Sequence, residues 1–311
     1  MIAYLVRRFL YVIPLVLGVS LFVFLVFDSG ILGDRAASQL GKHASPAALA
    51  RLRHDLGLDL PFLERLWNYA KDVFTLDFGR SWSTKIPITE IVAKSLWPSI
   101  SLTLPAFAIS TLLAVSLSVL CAAFRGGKLD KTLLIGAVAL MSVSSLVYII
   151  FGQYFLSFEA GLFPISGYTR GPGALEYLAL PVLIFVFLNI APDLRFYRTA
   201  MLEEVRQDYV RTARAKGLAE SRVLFAHVLR NGLIPVVTQV VVSIPFLFLG
   251  SILLERFFGI PGIGGVVIQA IEKTDIPVIR ALTVVFALVV VVANLATDVA
   301  YTLIDPRVRL G

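Results

Sequence analysis

The residues best suited to chemistry, or to gripping a partner, fall in one polar run, 199–232. Within it, Tyr209-Val210-Arg211-Thr212-Ala213-Arg214-Ala215-Lys216-Gly217 reads as a basic helix ending on glycine, the residue that most readily takes a left-handed stop. Ala219 to Leu229 predicts a second short helix, with Leu224, His227, Val228 and Asn231 on one face at i, i+3, i+4 and i+7. Asn231-Gly232 is expected to break that helix just before Pro235 opens an apolar run. The chemistry such an elbow suits is mechanical. It projects a rigid knob for a partner, with short connections that carry the partner's motion into the flanking apolar runs. A basic loop resting on anionic lipid fits the same spacing and needs only the charge. The candidate contact residues are Arg211, Ala213, Arg214, Ala215, Lys216, Gly217, Leu224, His227, Arg230 and Asn231.

Bond-making chemistry finds no comparable constellation. The three histidines have no metal-ligand spacing, and neither His-Glu-x-x-His nor a paired intramembrane acidic set occurs. Gly126-Gly127-Lys128 lacks the upstream glycine and the following serine or threonine of a phosphate loop. Cys121, the single cysteine, sits in an apolar run and reads as a small buried hydrophobe.

The elements that must position the polar run are apolar. Of 311 residues, 58% are hydrophobic and 16% charged, well below the roughly 25% charge of an average soluble domain. Six runs approach the ~20 residues that cross a bilayer as a helix: about 9–27, 98–124, 132–158, 177–199, 233–255 and 278–304. Helices are expected because hydrocarbon offers backbone amides no partner. The sequence therefore predicts an all-α membrane protein of six transmembrane helices forming a single domain over 1–311. The first run follows Arg7-Arg8 like a signal peptide, but its apolar core is longer, so an uncleaved first span is expected.

Short-loop charge sets orientation. Arg125, Lys128 and Lys131, then the many arginines of 195–230, then Arg307 and Arg309, fall on the side of Arg7-Arg8. The positive-inside rule thus places both termini, the tail 305–311 and the 199–232 run in the cytoplasm. The +7 net charge speaks to topology, and no nucleic-acid partner is expected. Segment 28–97 then lies outside, with short helices expected at Ala47 to Leu56, started by Ser45-Pro46, and at Pro61 to Phe74. They read as a cap on the helix ends or against the lipid surface. The glycine- and aromatic-rich stretch Phe257 to Gly265 reads as a tight turn forming a packed lid, with a re-entrant pore loop the alternative. Polar residues inside spans need partners or water. Asn294 and Asp298, four apart on one face of span six, are candidates for a gate or a helix contact, and Asn189 and Gln239 for a polar path or interhelical bonding.

Asp208 to Leu218 followed by His227-Val228-Leu229-Arg230-Asn231-Gly232-Leu233-Ile234-Pro235 closely resembles the coupling loop of binding-protein-dependent ABC importers, most of all the oligopeptide/dipeptide/nickel permease family. Further pieces of that pattern recur in order: Asp55-Leu56-Gly57-Leu58-Asp59, Asp77-Phe78-Gly79-Arg80-Ser81, then Glu255, Phe258 and Pro261-Gly262-Ile263-Gly264, and finally Asn294-Leu295, Asp298, Tyr301 and Asp305 to Arg309. The chain departs from it at Ser142 to Leu146, which lacks the usual proline, and at Asn189 to Asp193, where relatives are mostly small and apolar. The resemblance implies a type I ABC importer permease fold with a periplasmic helical segment between helices 1 and 2. It also implies two cytosolic ABC ATPase subunits that bind ATP and Mg, with no cofactor in this chain. A second homologous permease chain and an extracytoplasmic solute-binding protein complete the expected assembly, in an inner membrane with its lipid as neighbour. Peptides are the implied solute, with nickel complexes and glutathione-like or sugar-like solutes open. An ion-gradient-driven secondary transporter is the rival reading; it would usually show paired broken helices in repeated halves, and no convincing repeat relates spans one to three and four to six.

Overall fold

The computed structural model describes residues 45–55, 57–171 and 173–304, together with 14, 17–27 and 36–37. Arg7-Arg8 and the tail 305–311 lie outside the described residues. The described chain is helical apart from turns and a single bridge between Arg80 and Pro87. Its helices are α1 (Leu17–Phe27), α2 (Pro46–Asp55), α3 (Phe62–Thr75), α4 (Ile88–Ala123), α5 (Lys128–Met141) and α6 (Ser145–Glu159). They continue as α7 (Ala174–Val205), α8 (Asp208–Ala215), α9 (Glu220–Phe248), α10 (Ile252–Phe258), α11 (Ile263–Glu272) and α12 (Ile276–Ile304). Helices α4, α7, α9 and α12 are each long and apolar enough to cross a membrane, and α5 with α6 makes a further span if the bent pair is taken together. The first expected span is described only over Leu17–Phe27.

Several expected boundaries change, each for a local reason. Span two begins at Ile88, not 98, because Pro98 and Pro105 sit inside the helix. The helix carries both prolines, as membrane helices can, and the Ser101 and Thr103 hydroxyls donate to the carbonyls of Pro98 (2.8 Å) and Ser99 (2.9 Å) of the same helix. Span three is not one straight helix: α5 and α6 meet at 88°. No proline makes that bend. Ser144 is extended (ψ 142°), and the Ser142 and Tyr148 hydroxyls add second bonds to the carbonyls of Val138 (2.8 Å) and Leu140 (2.9 Å), which also accept from the Ser142 and Val143 amides. The expected break at Asn231-Gly232 is also absent, since α9 runs through it. Gly232 serves contact there, because a β-carbon at this position would meet Met201 Sδ at 2.6 Å. The helix irregularity falls earlier, in a π segment at Leu224–Leu229.

The expected outer turn is two short helices, α10 and α11, folded back on each other at 86°. In segment 28–97, α2 and α3 lie close to the expected positions, and Ser45 Oγ accepts from the Ala48 amide (3.2 Å) as a cap. Helix α4 links the two ends of the bundle. Ser99 touches the α10–α11 fold, whereas Ala122 packs into the apolar cluster under the 208–224 elbow. At 1.5 Å per residue these points lie roughly 34 Å apart, about the thickness of a membrane core.

Candidate functional site

The elbow is built by backbone hydrogen bonds before side chains enter. Helix α8 ends in a paired C-terminal lock: Leu218 N–H donates to Ala213 O (3.4 Å) and Gly217 N–H to Arg214 O (2.9 Å). Gly217 takes φ +76°, a left-handed value in which a side chain is strained. Ala219 is then extended (ψ 140°) and opens α9. Leu218 packs on the apolar cluster below, which completes the motif.

That cluster anchors the elbow. Val210 and Ala213 of α8 and Val223, Leu224 and Val228 of α9 are buried against Tyr197, Met201 and Val205 of α7. Two of the expected contact residues, Leu224 and Ala213, therefore face the chain's own core. Arg211, Ala215, Lys216, Gly217 and Arg230 are exposed, and Arg214, His227 and Asn231 half-buried. The face expected for Leu224, His227, Val228 and Asn231 thus points largely inward. Phe225, which that pattern passes over, is 62% exposed. A helical period read through a π segment misassigns its faces, and no sequence signal sets Phe225 apart from its apolar neighbours Leu224 and Ala226.

Three side-chain links brace the elbow. Arg214 forks onto Glu220 across the turn (Nε–Oε2 3.0 Å, Nη2–Oε1 2.5 Å), joining the ends of α8 and α9. Tyr209 donates its hydroxyl to Glu204 of α7 and accepts from Asn231 Nδ2 of α9 (2.8 Å). Burial first, and then the adjacent Glu204, raise the Tyr209 phenol above its ordinary value of 10, so it stays a neutral donor. Nearby, Arg198 of α7 holds buried Asp130 of α5 in a fork (2.6 and 2.8 Å), and the Gly126 amide gives Asp130 a third bond (2.9 Å). The 126–128 turn is thereby committed to the chain's own carboxylate. Neither Tyr209–Glu204 nor Arg198–Asp130 has a local sequence signature.

The far end of the bundle holds two buried carboxylates. Glu255, 1% exposed, accepts from Ser99 Oγ (2.6 Å) and the Gly265 amide (3.2 Å), while Ser99 Oγ accepts from the Ile263 amide (2.8 Å). Glycines leave it room: a β-carbon at Gly262 would lie 2.5 Å from both Glu255 Oε2 and Ser99 Oγ, and one at Gly264 2.8 Å from Glu255 Oε2. The Glu255 and Pro261-Gly262-Ile263-Gly264 motif is thus one carboxylate with its cradle. Asp275, at the foot of α12, takes the hydroxyls of Ser81 (2.6 Å) and Ser83 (2.8 Å) and the amides of Trp82 (3.0 Å) and Ser83 (3.1 Å). Burial pushes the Asp275 carboxyl up, but these four donors outweigh it and hold it below the ordinary 3.8.

The path candidates Asn189, Gln239 and Asn294 are not brought together among the described residues. Asn189 spends its amide on Phe185 O of its own helix (2.8 Å), Gln239 is half-buried on α9, and Asn294 is exposed on α12. Asp298 lies on the backbone of α12, its side chain outside the described set. No hydrogen bond joins any two of them among the described residues.

Comparison with known proteins meets this geometry. Residues 114–310 match the family described as binding-protein-dependent transport system inner membrane component, and residues 1–103 match its N-terminal companion. A probable peptide ABC transporter permease of Sinorhizobium fredii is 35% identical over 98% of this chain and 99% of its own length. A putative peptide transport system permease of Brucella abortus is 35% identical over 99% of each chain. A glutathione transport system permease of Pectobacterium atrosepticum is 34% identical, again over 99% of each. These matches support the type I permease fold and set aside the ion-gradient reading. The chain belongs to the binding-protein-dependent transport system inner membrane component family: it is a multi-pass inner-membrane permease subunit of an ABC importer, a component without an ATPase site of its own that works with ATPase and solute-binding partners.

Proposed function

We propose that this chain forms half of a peptide-type translocation pathway, with the 208–232 elbow facing the cytoplasm and seated in a groove of an ATPase subunit. The carrying observation is the division of labour in the elbow. Its apolar side is packed into the chain's own core, its ends are tied to α7 and α9 through Tyr209, and its rim of Ala215, Lys216, Gly217 and Phe225 is left outward. A knob so braced passes a push to both spans. The basic residues of the inner short loops favour this orientation, with both termini inside. The peptide and glutathione names of the relatives favour small peptide-like solutes, delivered outside by a binding protein. A second, homologous permease chain completes the path, and two ATPase subunits bind the ATP and Mg.

Affinity purification of the chain from membranes, followed by mass spectrometry, tests the assembly. Wild type is expected to carry the ATPases, the second permease and the binding protein. Gly217→Pro cannot keep φ +76°, and Arg214→Glu sets two carboxylates against each other at Glu220, so both are expected to lose the ATPases while still inserting in the membrane. Solute uptake by the chain alone under a proton or sodium gradient would sink the proposal.

A further inference from the structure

Helix α3 shows three different sides. Its Tyr69 and Val73 belong to one buried cluster with Val23 and Phe24 of α1 and Val284 and Val291 of α12. The Phe24 ring meets Phe62 edge-on (5.4 Å) and stacks on Tyr69 (5.7 Å), which fixes α3 against α1. Glu64, Asn68 and Asp72 make an exposed polar stripe at four-residue spacing. The third side carries Leu63, Trp67 and Phe74, which are apolar and largely exposed.

That third side faces a groove. A cavity of about 620 Å³ opens between α3 and α1, walled by these three residues with Leu66, Leu17 and Leu21. Water finds no hydrogen-bond partners on such walls. Two polar groups nonetheless line the groove. Ser20 of α1 is only 5% exposed, and among the described residues nothing bonds to its hydroxyl. Buried hydroxyls are ordinarily paired, so Ser20 calls for an acceptor from outside the chain. Lys71 of α3 is exposed at the same groove and enters no ion pair among the described residues. The Thr75 hydroxyl, by contrast, is turned to Lys71 O (2.9 Å).

The occupant must be apolar along most of its length, yet offer an oxygen acceptor and a negative charge. A phospholipid carries acyl chains, ester carbonyls and a phosphate in that order. Placement agrees with this chemistry. Helix α1 belongs to the apolar run of the first expected span, and an amphipathic helix with tryptophan and lysine suits the boundary between headgroups and chains. An apolar helix of the second permease chain would cover the walls but leave Ser20 and Lys71 unanswered. We propose that the groove between α1 and α3 holds a resident phospholipid of the leaflet that borders α3. Its acyl chain lies on Leu21, Leu66 and Trp67, an ester carbonyl accepts from Ser20, and its phosphate meets Lys71. The lipid thereby seals α3 to the first span.

The assembled transporter, with its partners, is reconstituted in vesicles of phosphatidylethanolamine and phosphatidylglycerol. A trace of phosphatidylglycerol bearing a diazirine on one acyl chain is included, and after irradiation the labelled peptides are mapped by mass spectrometry. Wild type is expected to be labelled several-fold more strongly at 17–21 and 63–74 than along its other apolar helices. Ala70 also lines the groove, so Ala70→Trp is expected to fill it and lower that label several-fold. Lys71→Glu is expected to lower labelling by the phospholipid probe but not by a diazirine diacylglycerol, which lacks the phosphate. Native mass spectrometry after detergent washing is expected to find more phospholipid retained by wild type than by either variant. Should Ala70→Trp fail to assemble, Ser20→Ala and Lys71→Glu carry the same comparison. Label spread evenly over the apolar helices, and unmoved by these substitutions, overturns the proposal. Absence of label at 63–74, with Lys71 instead joined to the second permease chain by a short amine crosslinker, also overturns it and assigns the groove to that subunit.

Discussion

The elbow at 208–232 and the folded pair α10–α11 are both helix–turn–helix units against the ends of long spans, yet they are held by different means. The elbow's braces are side chain to side chain and largely exposed: Arg214 to Glu220, Tyr209 to Glu204 and Asn231. The α10–α11 pair and the foot of α12 are held by buried carboxylates that accept from serines and backbone amides. Exposed pairs contribute little each, whereas a buried carboxylate stripped of its donors is costly. One unit is therefore fixed at its base and accessible at its rim, suited to a partner. The other is locked throughout, suited to a stationary wall or lid.

The largest expected effect exploits the two glycines. Gly262 is needed for room, because its φ of −97° suits any residue but a β-carbon would strike Glu255 and Ser99. Gly217 is needed for conformation, because φ is +76° and nothing lies within 4 Å of a β-carbon. Gly262→Ala is expected to cost about 3–5 kcal/mol by displacing a buried carboxylate, and Gly217→Ala about 1 kcal/mol. Size-exclusion yield and melting midpoint of the complex read both. The reverse order would break the contrast.

A smaller effect is expected of Tyr209→Phe, which removes two hydrogen bonds and leaves the packing. It is expected to loosen the elbow from α7 and α9 by about 1–3 kcal/mol. Partner capture should survive while solute moved per ATP hydrolysed falls several-fold in reconstituted vesicles. Parallel loss of ATPase activity and transport would instead assign Tyr209 to docking itself. The smallest effect concerns pH. The folded carboxyl of Asp275 lies below 3.8, so the stability it contributes is fully present above that value and is lost as pH falls through the lower folded one. Hydrogen exchange at Trp82 and Ser83 should stay slow down to about pH 4 in wild type, and be fast at every pH in Asp275→Ala.

Much of this was legible in advance. The apolar runs, the helices around 46–55 and 62–75, and the glycine stop at Gly217 follow from composition and local backbone preference, which act over a turn or two of helix. The candidate residues were less evenly legible. The helical period assigned Leu224 outward and passed over Phe225, because a π segment shifts the period within a few residues. Asn231-Gly232 looked like a break because glycine weakens a helix in isolation, whereas against Met201 its small size is what the packing requires. The 88° bend of α5–α6 was missed because no proline marks it; the extended Ser144 turns the chain, and the Ser142 and Tyr148 hydroxyls bond to carbonyls at the end of α5.

By itself, then, the sequence determined that the chain lives in a membrane, where its polar elbow lies and which residue turns it. These are decided by the solvent preference of each side chain and the allowed angles of each backbone. Tertiary structure alone decided that Ser99 meets Glu255 and that Ser81 meets Asp275. These pairs are 156 and 194 residues apart. No periodicity encodes contacts at that separation. They exist because long helices cross a membrane and return, carrying polar groups into a medium where each must find a partner or pay the cost of lacking one.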